Sequence, residues 1–77
     1  MKTFPETNVK VRLNGVVYWL VESTFTTGRC IAPLEHCDAL GNPVVLADAY
    51  AHLGPDGLIR RYRSVIGSAD DLELVVQ

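Results

Sequence analysis

The chain is short of cations, of cysteine and of long apolar runs. Seven Lys and Arg residues stand against nine Asp and Glu, a formal net charge of −2, and the isoelectric point is about 5.5. That balance removes the bulk attraction on which sequence-independent nucleic-acid binding rests. Two cysteines, Cys30 and Cys37, are too few for a disulfide framework and read as reduced thiols in a cytoplasmic protein. No stretch reaches the ~18 apolar residues of a membrane helix. The start, Met-Lys-Thr-Phe-Pro-Glu, has no apolar secretory core, so neither membrane insertion nor export is expected. Internal repeats, low-complexity segments and Gly-rich phosphate loops are also lacking. With 77 residues, the expectation is one small domain, 1–77.

Apolar residues, by contrast, are plentiful. They make up 48% of the chain, while a domain of this size buries only roughly 60% of the surface its unfolded chain exposes. Oligomerisation or a partner would relieve that mismatch. The densest apolar run, Val16-Val17-Tyr18-Trp19-Leu20-Val21, follows an Asn14-Gly15 turn signal. Side chains alternate between faces along a strand, so this one is apolar on both.

Turn chemistry sets the layout. Asn14-Gly15 favours a type I′ hairpin turn, residues 26–28 offer a second turn, and Asp38 with Gly41 fits a type I turn. Pro55-Asp56-Gly57 supplies a preset φ and a left-handed position. The strands this spacing predicts are 8–13, 16–25, 29–37, 43–53, 58–66 and 73–76, with Pro33 marking an edge or a bulge. Ser68 and Asp71 predict a capped helical turn near 69–73. The expected fold is therefore all-β: a small antiparallel meander, or a partly open barrel of five to six strands. The layout resembles a small SH3-like barrel, an architectural likeness that implies no single role. The alternative is an α+β fold with a helix at 43–53, begun by Asn42-Pro43 and stopped by Gly54-Pro55.

A two-residue turn at Asn14-Gly15 fixes the first hairpin's register, from Leu13 opposite Val16 to Val9 opposite Leu20. One face then carries Val9, Val11, Leu13, Val16, Tyr18 and Leu20 and is read as core. The other carries Lys10, Arg12, Val17, Trp19 and Val21, with Lys10 facing Trp19 as a cation–π pair does. Two readings of that second face stay open. Either a neighbouring element covers Trp19, or these five residues form a protein interface, where Trp and Arg are enriched.

The second hairpin pairs Leu53 with Ile59, His52 with Arg60, Ala51 with Arg61 and Tyr50 with Tyr62. Ala49 then faces Arg63, and Asp48 faces Ser64. Arg61 and Arg63 rise beside a row of alanines, where guanidinium groups grip a carboxylate or phosphate. Arg60, Arg61, Tyr62 and Arg63 are thus the candidate contacts for an anion or partner, set against the plainer reading of a solvated face or pairs with local acids such as Asp70, Asp71 and Glu73. Their mix of Tyr and Arg also resembles single-strand nucleic-acid platforms, which the acidic balance disfavours.

Catalysis and metal binding are not expected. Asp48 and His52 lie four residues apart, about 13 Å along a strand, too far for a triad with Ser64. Cys30, His36, Cys37 and His52 match no zinc spacing. No cofactor is implied. The expectation is a non-enzymatic interaction module, homo-oligomeric (a dimer) or bound to another protein, with nucleic acid as the alternative partner.

Overall fold

The computed structural model describes residues 6–22, 28–44 and 50–75. They form one seven-stranded antiparallel sheet: β1 (Val9–Leu13), β2 (Val16–Glu22), β3 (Arg29–Pro33), β4 (Ala51–Leu53), β5 (Leu58–Arg61), β6 (Ser64–Ser68) and β7 (Glu73–Leu74). The order is β6-β5-β4-β3-β2-β1-β7, so only the last strand leaves the meander, returning to pair with the first. The sheet curls into a partly open barrel. On its open side β6 passes close to β1, where a Cβ on Gly67 would lie 3.1 Å from Leu13 Cδ1.

The first hairpin has the register the turn predicts, with all five rungs from Leu13–Val16 to Val9–Leu20. Asn14 and Gly15 both take positive φ, 51° and 83°, which matches the twist of the flanking strands. At the other end of the chain, Ser68 caps a 3-10 turn at Ala69–Asp71, and the Asp71 carboxylate accepts from the Ser68 backbone N–H. That capping box aims Leu72 into the core and delivers β7 to β1.

Two clusters hold the sheet. Inside the curl, Val11, Leu13, Leu20, Ile31, Ala51, Ile59 and Leu72 pack together. On the outer face a smaller group, Val21, Cys30, Ala32 and Tyr50, is flanked by Trp19 and Cys37. Burying each large aliphatic side chain contributes about 1.5–3 kcal/mol, so the inner cluster dominates.

The structure differs from the sequence expectation at four places. The strand expected over 58–66 is two strands, because Tyr62 turns the chain at φ 58° and Arg61 pairs with Ser64. The count is seven strands rather than five to six. The strand expected over 29–37 stops at Pro33 and gives way to a 3-10 turn at Leu34–His36. β3 is an interior strand, but β4 pairs only with Cys30 and Ile31, so Pro33 sits where no partner asks for its missing N–H. The bulge lies instead in the β5–β6 pair, next to Ile59 and Arg60. Val16, expected in the core, is 51% exposed at the mouth of the curl. For the contested segment, Ala51–Leu53 is strand, while 45–49 lie outside the described residues.

Candidate functional site

The outer face of the first hairpin is covered largely from within the chain. After the 3-10 turn, Cys37 bridges to Pro43 and the Val44 N–H donates to the His36 carbonyl at 2.9 Å, making a short hairpin arm. The arm turns at 38–42. There the Asp38 carboxylate accepts from the backbone N–H groups of Leu40 and Asn42, each at 2.9 Å. Those donors hold the Asp38 carboxyl below the usual carboxylate range, the Asn42 N–H contributing most. Asn8 ties the arm to the start of β1 by donating to the Asn42 side-chain oxygen at 3.0 Å.

Gly41 lies flat on the Trp19 ring, at φ 83°, and a Cβ there would sit 2.7 Å from Trp19 Cζ3. On the other flank Lys10 Nζ stands 5.4 Å from the ring centroid, a contact worth about 0.5–1 kcal/mol at an exposed site. Trp19 is left half-buried and Val21 is buried, at 2% exposure. Arg12 is exposed and faces Glu73 across the β1–β7 pair at 3.8 Å. An open groove of about 320 Å³ runs beside Trp19, lined by Asn8, Val9, Lys10, Trp19, Ala39 and Val75.

Under the arm the two thiols meet one cluster: Cys30 is part of it and Cys37 packs on its edge. Seven-residue spacing along a continuous strand would have sent them to opposite faces. The turn at Leu34–His36 folds Cys37 back instead. Burial, with Cys37 as a lesser neighbour, pushes the Cys30 thiol up to about 11. Burial also raises Cys37. Both are free thiols.

The four candidate contacts of the second hairpin separate. Arg60 is already occupied: its guanidinium donates to both Asp56 oxygens, at 3.2 and 2.9 Å. This fork holds the Asp56 carboxyl below its ordinary range. Tyr62 and Arg63 form the exposed tip of the β5–β6 turn, Tyr62 being 73% exposed. The expected rung between Tyr50 and Tyr62 is not formed, because Tyr62 has left the strand and Tyr50 is buried in the outer cluster. The expected Ala51–Arg61 rung is not formed either, the β4–β5 pair ending at His52–Arg60; residues 48 and 49, of the other two expected rungs, lie outside the described residues, and Ser64 is taken by Arg61.

Arg61 lines a concavity. A second groove of about 320 Å³ is lined by Val16, Val17 and Tyr18 of β2, Pro33, Leu34, Glu35 and His36, and Arg61. It joins a residue from each of the two predicted contact sets, Val17 and Arg61. Sequence reasoning missed its floor, Leu34 and His36, because a strand over 29–37 would have carried them elsewhere. Among the described residues no three of His, Cys, Asp and Glu come together as metal ligands, and no helix is long and apolar enough to cross a membrane.

No protein-family model, curated protein or solved structure matches the chain. Fold and site together define a class only: a small, partly open β barrel bearing shallow surface grooves.

Proposed function

We propose that the chain is a small non-enzymatic interaction module, binding another protein or a second copy of itself. The supporting observation is the groove at Val16, Val17 and Arg61. There Val16 and Leu34 remain 51% and 39% exposed, beside an arginine with no ion pair among the described residues. Apolar side chains around one uncommitted guanidinium are the composition of a protein-binding hot spot. The margin of Trp19, with Lys10 and Arg12, is the neighbouring contact. Val21 would support it from below. Two free thiols fit a reducing compartment, so a cytoplasmic location goes with this reading.

The test is mass in solution. An oligomeric module runs above 8.5 kDa in light scattering, and Trp19→Ser or Val16→Glu shifts it towards monomer. A hetero-binding module is monomeric and retains its partner only with these positions intact. Strictly monomeric behaviour together with no partner dependent on either position sinks the reading.

The second reading is nucleic-acid binding, favoured by the exposed Tyr62 beside Arg63 at the turn tip. Retention on single-stranded DNA that falls steeply with salt would support it. Salt-independent or absent retention removes it.

A further inference from the structure

Two polar atoms of the Arg61 groove are buried without a hydrogen-bond partner: Arg61 Nε and His36 Nδ1. A buried polar atom without a partner is costly, but both atoms are closed to solvent and lie behind the groove surface, so a docked group meets the terminal N–H groups of Arg61 instead. The two residues stand on different elements, the end of β5 and the 3-10 turn, yet line the same groove. The other walls are Val16, Tyr18, Pro33 and Leu34. Ion pairs account for Arg12 and Arg60, and Lys10 lies over Trp19, but none engages Arg61 among the described residues.

From this arrangement we infer that the groove binds an acidic linear segment of a partner protein, an Asp or Glu flanked by aliphatic residues. The partner's carboxylate accepts from the Arg61 guanidinium. Its flanking side chains cover Val16 and Leu34, and that coverage excludes the water which would otherwise screen the charge pair. Glu35 on the same rim orients the segment, since like charges repel and the incoming carboxylate is steered to the Arg61 side. A phosphate backbone fits less well: one cation between aliphatic walls supplies neither the charge series nor the stacking that nucleic acid requires. The inference rests on the interaction-module reading and adds the chemistry of the occupant.

The probe is the capped peptide acetyl-Leu-Asp-Leu-amide, followed by amide chemical shifts of the full chain, with acetyl-Leu-Asn-Leu-amide as its uncharged counterpart. Saturable shifts are expected at 16–18, 34–36 and 61, below roughly 20 mM peptide. The Asn peptide and the Arg61→Gln variant should each weaken binding about tenfold, the loss of one charged hydrogen bond. Val16→Glu, at an exposed position, should abolish it, whereas Lys10→Gln should leave it unchanged.

Absence of saturable shifts overturns the proposal, as does equal binding of the two peptides. Sensitivity to Lys10→Gln but not to Arg61→Gln also overturns it, because the anion then binds beside Trp19. Light scattering on the same samples separates this failure from that of the broader reading. Absence of peptide binding alone removes the acidic segment and keeps the interaction module; only strictly monomeric behaviour together with no partner dependent on Trp19 or Val16 removes both.

Discussion

The two faces of the sheet are closed by different means. The inner face is closed by curvature: five strands and Leu72 converge, and the residues at its centre, Val11, Leu20, Ala51, Ile59 and Leu72, are fully buried. Among the described residues the outer face has no second layer. A short arm bound by Asp38 and seated through Gly41 covers it, and the arm shields a Trp without burying it. The inner cluster is set by side-chain volume, so it tolerates change in proportion to the atoms removed. The outer one is set by a single backbone approach, so one added methyl group matters there. Strong closure on one side and thin closure on the other leave a groove beside Trp19 and another beside Arg61.

Four perturbations, two of them with a companion variant, would break or sharpen this contrast, the largest effect coming first. Leu20→Ala opens a cavity in the inner cluster and should cost about 2–5 kcal/mol in urea unfolding. In a domain this small that is a large part of the total. Gly41→Ala drives a Cβ into the Trp19 ring and should cost about 1–3 kcal/mol for the overpacking. A further cost of about 1 kcal/mol comes from its positive φ. Gly15→Ala shares that φ of 83° but meets open space, so it should show the backbone cost alone. The difference between the two variants isolates the contact with Trp19.

Acid is the third perturbation. Asp38 and Asp56 both have folded-state carboxyls held below the ordinary carboxylate range by the N–H groups that donate to them. Their contribution is therefore complete above the unfolded-state value and is lost as pH falls through the lowered folded values. Below about pH 4 the 38–42 turn should loosen before the inner cluster does, seen as a red shift of Trp19 emission ahead of the far-UV transition. Asp38→Ala should show that emission already at neutral pH. A single coincident transition would mean that the arm and the barrel melt as one. Smallest of all is Arg61→Gln, which removes an unpartnered buried donor. Because that donor is costly where it stands, the variant should be no less stable than the wild type and up to about 1 kcal/mol more stable in urea unfolding, whatever it does to binding.

Much of the fold was legible because local chemistry and pattern agreed. Asn14-Gly15 set both the turn and the register of the first hairpin, and Ser68 with Asp71 marked the helical turn that returns β7 to β1. The break at Tyr62 was not legible. Arg61-Tyr62-Arg63-Ser64 carries no Gly, Asn or Asp, and a tyrosine at φ 58° runs against its own strand preference. The turn at 38–42 was readable from Asp38 and Gly41, but its seat on Trp19 depends on the chain folding back at Leu34–His36, after Pro33. Of the site, the residue types were evident and their grouping was not. Val17 and Arg61 came from separate hairpins, and the groove that joins them exists only once the sheet curls.

The claim at the centre of this account is that the chain itself, rather than a second copy, shields Trp19. Acrylamide quenching of Trp19 across a dilution series, with mass measured at each point, tests it directly. The account predicts that partial shielding by the arm persists at dilutions where the protein is monomeric at 8.5 kDa, whatever a second copy adds at the margin of the ring at higher concentration. Shielding that disappears as oligomers dissociate would contradict it and show that another copy covers this face.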